Sequence, residues 1–354
     1  MDYSFTVSAG LGGVGGGGLL GGTRGSIGMG MSNVNVFGLK SRAERVLFVI
    51  DASRSMLADS KGGLFSYRVI KEEISTMISN LSAGTLFNVA FYEGDRFEFF
   101  KPLPVPAGTA VTQELVTWIQ PINADINSLG LRKPVRPPIK TLSDHPVHQA
   151  LNSFRDGHNL TLFQTQLFLE QSVDAIFVIT GNHRGVGPVR RQATTEEAAA
   201  LRQTNLDPDY EEKMRAHLKA RAEAVKKAEK LHAEENKRRA ARGIPPKVLQ
   251  RDILVEYKIK IDVPKPQGRE FKRFFLSAEE GEDYLDDLVE VLYENKGAEP
   301  PSINLVIFLA GDEEFSDSKE DEIKDYVRDF SGKHRIIRGL NEIQSAATAA
   351  ATTN

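Results

Sequence analysis

Asp51, Ser53 and Ser55 stand on alternate positions where the apolar run VLFVI ends, in the stretch VLFVIDASRSM over residues 46 to 56. A carboxylate and two hydroxyls on one tight loop are hard oxygen donors. A divalent ion such as Mg²⁺ gathers about six of them in near-octahedral geometry. The bland reading of the same residues is that they hydrogen-bond the loop backbone and cap the helix that follows.

Other reactive side chains do not assemble into a catalytic set. His145, His148, His158 and His183 invite a zinc reading, but Pro146 separates the first two and no helical H-E-x-x-H pair occurs. The chain has no cysteine, which removes disulfides, thiolate catalysis and cysteine zinc sites. The glycine-dominated tract at residues 8 to 32 is followed by no GK[ST] and preceded by no strand, so it is not a phosphate loop. We read it as a linker, because it has too few side chains to offset the entropy of ordering it. No nucleophile, base and orienter share a recognisable spacing, so a hydrolase or nucleotide-using enzyme ranks last among the readings.

The elements that must carry the oxygen loop alternate between apolar strands and amphipathic helices, which implies a mostly parallel sheet covered on both faces. Strands are expected at 46–50, 85–92, 96–100, 173–180, 253–263, 303–311 and 334–340, the second and third forming a hairpin and the last an edge strand. Helices are expected at about 66–81, 112–120, 146–154, 160–172, 282–295 and 320–330. The expected divisions are a glycine-rich lead-in (1–44), a core beginning at 45–188 with a proline-rich insert (121–156), a charged helical insertion (189–250), completion of the core (251–343) and a disordered tail (344–354).

A buried strand ending in D-x-S-x-S, then a helix, a hairpin and a later strand ending near an acidic turn resembles the von Willebrand factor type A domain. The resemblance covers about 45 to 120, 157 to 188 and 300 to 340. It implies a Rossmann-like, doubly wound α/β fold with one antiparallel edge strand, to which the charged helical insertion is added. It also implies a metal-ion-dependent adhesion site at the carboxyl ends of the strands, where open α/β sheets place their ligands. In that family D-x-S-x-S is joined by a threonine from a second loop and an aspartate from a third. Asp51, Ser53 and Ser55 match position by position. Asn159 falls where the threonine belongs and Gly181 where the aspartate belongs, the usual T-D-G having become Thr180-Gly181-Asn182. Asn159 can still offer an amide oxygen; Gly181 offers no side chain. Arg54 replaces the usual glycine between the serines, and a guanidinium folded back on Asp51 would stand in for the metal. Thr141 is a second candidate for the threonine role, ranked lower because it lies too far ahead of Gly181.

The expectation is therefore a non-enzymatic protein-interaction module with an incomplete metal site and no cofactor. Its partner would dock on the strand-end rim of Arg54, His158, Gly181, Asn182 and His183, or along the insertion, whose apolar residues Met214, Leu218, Val225 and Leu231 form a narrow stripe. The alternative is a Mg²⁺- or Mn²⁺-dependent adhesion or receptor domain in which Asn159 and waters complete the site. Nucleic acid is not expected: the net charge is -3, and the basic end of the insertion has interleaved glutamates and no aromatic residues for stacking. RKPVRPPIK at 132–140 reads as a stiff loop rather than a docking peptide, and the seven carboxylates of GDEEFSDSKEDE at 311–322 as a solvated turn leading into a helix. No apolar run is long enough to span a bilayer. The chain is expected to be soluble as given, and periplasmic or membrane-tethered if an anchor lies upstream of its glycine tract.

Overall fold

A computed structural model describes residues 30–201, 209–266, 273–311, 313–339 and 342. Most of the glycine tract and the whole of the expected disordered tail lie outside the described residues. Along the chain, β1 (Ser32–Val36) and β2 (Leu39–Ala43) form a hairpin, followed by β3 (Arg45–Asp51), α1 (Gly63–Ser79), β4 (Leu86–Glu93), β5 (Arg96–Phe99), the short β6 (Val105–Pro106) and α2 (Thr109–Ile119). Next come α3 (Pro146–Ser153), α4 (Leu160–Leu169), β7 (Ala175–Thr180), β8 (Val189–Arg191), α5 (Thr195–Leu201) and the long α6 (Tyr210–Ala240). The one-turn α7 (Ile253–Glu256), β9 (Phe274–Leu276), α8 (Ala278–Leu292), β10 (Ser302–Leu309), α9 (Asp317–Asp329) and β11 (His334–Arg338) complete the order.

Among the described residues the central sheet has seven strands, in the order β11-β10-β7-β3-β4-β5, with β6 also pairing β4. The ladders from β11 to β4 are parallel, and β5 and β6 run antiparallel to β4. This is a mixed α/β architecture compatible with a Rossmann-like fold. Its central strands β3, β4, β7 and β10 are buried on both faces. Val46, Phe48 and Ile50 of β3 point into a core shared with α1 and α2, whereas Leu47 and Val49 point into a second core shared with α4, α8 and α9. That double burial is why the strands read as unbroken apolar runs. After β4 and β5 the chain crosses back over β3 to form β7, so the winding reverses between β3 and β7. A crevice opens there at the strands' carboxyl ends, where β3 ends at Asp51 and β7 at Thr180.

Three local outcomes depart from the expected elements. The first is the β1–β2 hairpin, which lies where a linker-like lead-in is expected. Its turn residues Phe37 and Gly38 both have positive φ, 47° and 84°, as a two-residue hairpin turn requires. Phe37 is fully buried, edge-on to Phe308 at 5.2 Å, so the hairpin lids the first core. Second, residues 253–263 do not form a strand. Asp252 accepts from Leu254 N–H to start a helical turn, and Leu254 is buried while Val255 is exposed. Tyr257 instead reaches α6, donating to Glu235 Oε2 at 2.7 Å. The polar side of α6 offered this segment partners, and no sheet edge did. Third, the stems of the helical excursion pair with each other, β8 against β9. The stiff loop at 132–140 lies on the antiparallel edge, where Val135 exchanges backbone hydrogen bonds with Phe97. It covers donors and acceptors that a bare edge would expose.

Candidate functional site

Asp51 is 5 % exposed. Its Oδ1 accepts from Ser53 N–H at 2.8 Å, and its Oδ2 lies 3.2 Å from the Thr180 hydroxyl and 3.5 Å from Gly181 N. The Ser53 and Ser55 hydroxyls bond to each other at 2.8 Å, and neither serves as a side-chain cap: the turn Arg54–Leu57 has none. So Asp51 does bond the loop backbone, while the serines face inward as a pair. Burial raises the Asp51 carboxyl above the ordinary aspartate range, partly offset by its hydrogen bonds from Ser53, Gly181 and Thr180. The Tyr67 and Tyr92 hydroxyls nearby are pushed well above the usual phenol range by burial and then by the Asp51 charge.

The cation beside this carboxylate comes from the chain itself. Lys61 is buried, and its ammonium donates to Gly181 O at 3.1 Å and lies 3.7 Å from Glu313 Oε2. A Cβ added at Gly181 would come within 2.9 Å of Lys61 Nζ and of Met56 Sδ. The space that a side chain at 181 would take is thus already filled. Burial lowers the lysine's proton affinity, and the Glu313 and Asp51 charges pull it back up. Glu313, within the acidic 311–322 run, turns back on its own strand end and accepts from Ala310 N–H at 3.0 Å. Farther on, Ser316 caps α9 and Asp317 and Glu320 sit in its first turn. Of the two orientations open to Arg54, outward to solvent or folded back on Asp51, its exposure fits the outward one.

A cleft of about 260 Å³ opens over this centre, lined by Asp51, Ser53, Ser55, Thr161, Gln164 and Asn182 among others. His183 lies in its wall, its ring 4.7 Å from that of Tyr326 and its Nε2 buried without a protein partner. Burial drops its imidazole to about 4, so it is neutral at pH 7.

Asn159 does not join the oxygen cluster. Its Oδ1 accepts from Arg190 N–H at 2.7 Å and its Nδ2 donates to Ala150 O and Arg190 O, which uses the amide to hold the start of α4 against β8. Thr161, one residue into α4, is the threonine that lines the cleft, its hydroxyl donating to Arg184 O at 3.0 Å. His158 is exposed and packs edge-on to Phe275, away from the cleft. Thr141 lies toward the opposite end of the sheet, where its N–H meets Glu170 and it shares a groove with Arg45. His145 and His148 pack around Tyr284. Among the described residues no group of three His, Cys, Asp or Glu could hold a metal. Lys61 and Thr161 were not singled out from the sequence, and Thr180 and Glu313 were named there only within their motifs, without the contacts to Asp51 and Lys61 that the structure gives them. Thr161 could have been found by placing the start of α4 first; Lys61 carries no signal beyond its nearness to Gly62-Gly63.

On α6 the stripe is not the buried seam. Met214 and Val225 are half-buried, and Leu218 and Leu231 are exposed at 54 % and 37 %. The fully buried residue of α6 is Ala228, and the returning chain, which buries Val248 and Leu254, adds polar contacts: His217 bonds Val263 O, Arg221 pairs with Asp252, His232 meets Tyr257, and Asn236 accepts from Lys247 N–H.

No family model matches the chain, and no curated protein matches it by sequence. Among solved structures it is similar to the PilB minor pilin of Streptococcus sanguinis, at 9 % identity and a TM-score of 0.36 over 91 % of this chain and 61 % of the pilin. It is also similar to the conserved hypothetical protein BatB of Bacteroides thetaiotaomicron, at 12 % identity and a TM-score of 0.30 over 87 % of this chain and 97 % of that one. The chain thus spans about three fifths of the pilin's length. Likenesses at these scores carry no argument for function. Among the described residues no helix is long and apolar enough to cross a membrane.

Proposed function

We propose that this chain is a von Willebrand A-type interaction module that docks a protein at the strand-end cleft without a bound metal ion and without catalysis. The observation that carries the reading is Lys61: its ammonium fills the space beside Gly181 and lies within reach of Glu313, so a positive charge is already seated where the oxygen loop converges. A divalent ion placed there would meet an ammonium, and at about 4 Å the two would repel by roughly 8 kcal/mol at an effective dielectric of 20. The commitment of Asn159 to Arg190 and Ala150 weighs against the metal-dependent alternative, which needed its amide oxygen.

Calorimetric titration of the full chain with Mg²⁺ and Mn²⁺ tests this. No saturable heat is expected from the wild type, and Asp51→Ala should leave the trace unchanged. A saturable, Asp51-dependent heat at millimolar or lower Kd would overturn the reading. For docking, capture of a protein from cell extract should persist in EDTA and be lost when the lip is altered by Asn182→Arg; a requirement for the divalent ion would again refute it.

A further inference from the structure

The turn that carries Lys61 is held from outside by the helical arm. At the carboxyl end of α6, Arg239 grips Asp59 with two nitrogens, Nη1 to Oδ2 at 2.8 Å and Nη2 to Oδ1 at 3.0 Å, while its Nε donates to Pro245 O at 2.7 Å. A planar guanidinium clasping a carboxylate with both nitrogens fixes direction as well as distance. Two residues on, Lys61 points the opposite way, into the protein. Residues 59–61 form a single tight turn, its N–H groups at Lys61, Gly62 and Gly63 returning to Ala58 O and Asp59 O. Gly62 and Gly63 follow with φ of 93° and 60°, a left-handed pair that links the turn to α1 and can swing without a side-chain clash. One short, hinged turn therefore has an outward carboxylate held by the arm and an inward ammonium seated at Gly181.

Building on the reading of Lys61 as the site's own cation, we infer that Arg239–Asp59 is a latch: the arm keeps the Lys61 turn closed, and releasing Arg239 lets Lys61 leave the Asp51–Gly181 centre. A partner that engages α6 and draws Arg239 away changes the charge and shape of the cleft, and occupancy of the cleft changes the hold on the arm by the same factor. Arg239 and Asp59 are positioning residues here, since neither lines the cleft.

Lysine footprinting of the full chain with an amine-acylating reagent, read by mass spectrometry, tests the latch. Lys71 is the internal control: it is as buried as Lys61 and is held by Gln120 O and Ile122 O, away from the arm. Both lysines should be protected in the wild type. In Arg239→Ala and in Asp59→Ala, acylation of Lys61 should rise about fivefold, the size expected for losing one partly exposed, well-aligned ion pair, with Lys71 unchanged. The charge-swapped double variant Asp59→Arg/Arg239→Asp should restore protection. If Lys61 stays protected in both single variants, or if Lys61 and Lys71 rise together, the latch is wrong. If Lys61 is already reactive in the wild type, the fault lies instead with the reading of Lys61 as a seated cation.

Discussion

Lys61→Met removes the internal cation while keeping most of the side-chain volume, which makes it the most direct probe of the centre. Three consequences set its size. Gly181 O loses a buried hydrogen bond from a charged donor, a loss of about 1.5–3 kcal/mol. Glu313 loses its partner but is exposed enough to rehydrate, so its share is small. Asp51 loses a compensating charge, which matters only while it is ionised. Set against these is the relief of no longer burying an ammonium, so a net destabilisation of about 2 kcal/mol at pH 8 is expected. The pH dependence follows from the direction of the Asp51 shift. Its folded pKa lies above the unfolded value, so stability is lost as pH rises from near 4 through the folded pKa. Without Lys61 that pKa moves further up and the loss grows, so the cost of Lys61→Met should shrink toward pH 5. Urea unfolding at pH 5 and pH 8 measures it, as a fall in midpoint with an unchanged slope. Adding Asp51→Asn should recover part of the loss at pH 8, with a coupling of about 1 kcal/mol. A Lys61→Met variant as stable as the wild type at pH 8, or one with equal cost at both pH values and no coupling to Asp51, would refute the reasoning.

Gly181→Ala should cost about 1–3 kcal/mol by crowding Lys61 Nζ and Met56 Sδ, and Lys61→Ala should relieve most of that in the double variant, measured by thermal unfolding. Asn159→Ala leaves Arg190 N–H without its acceptor and should cost about 1–3 kcal/mol, with no change in the Mg²⁺ titration; a change there would restore Asn159 as a ligand. Glu73 is buried under the β1–β2 turn, where burial raises its carboxyl to about 7 against the pull of Phe37 N–H. Because that folded value exceeds the unfolded one, stability should fall between pH 4.5 and 7, and Glu73→Gln should raise the melting temperature at pH 8 but not at pH 4.5. Gly38→Ala should destabilise by about 1–2 kcal/mol, since φ is 84° and the new methyl would meet the Arg335 side chain.

Much of the scaffold was legible because burial on both faces leaves a plain trace. AIFVIT and INLVIFL are short, continuous apolar runs rich in β-branched residues, the pattern of central strands in a covered sheet, and they are β7 and most of β10. The hairpin at 32–43 was hidden by its glycine-rich surroundings, although N-V-F-G-L carries an alternation and a turn glycine. ILVEYKIKIDV misled because alternation says only that one side is apolar. Whether a sheet edge is there to receive it is a tertiary fact, and α6 took its place.

By itself the sequence determined that an oxygen-bearing loop follows a buried strand, that position 181 has no carboxylate, and that a long charged helix interrupts the core. Those are properties of residue type and local spacing. Only the tertiary structure decided what fills the gap. Lys61 reaches Gly181 across 120 residues of chain and Arg239 reaches Asp59 across 180, separations over which no periodicity carries information. Which threonine faces the cleft was settled in the same way, by where α4 begins and how β8 holds Asn159. Ion pairs and hydrogen bonds act over a few ångströms in space, and only the packed chain says which residues are that close.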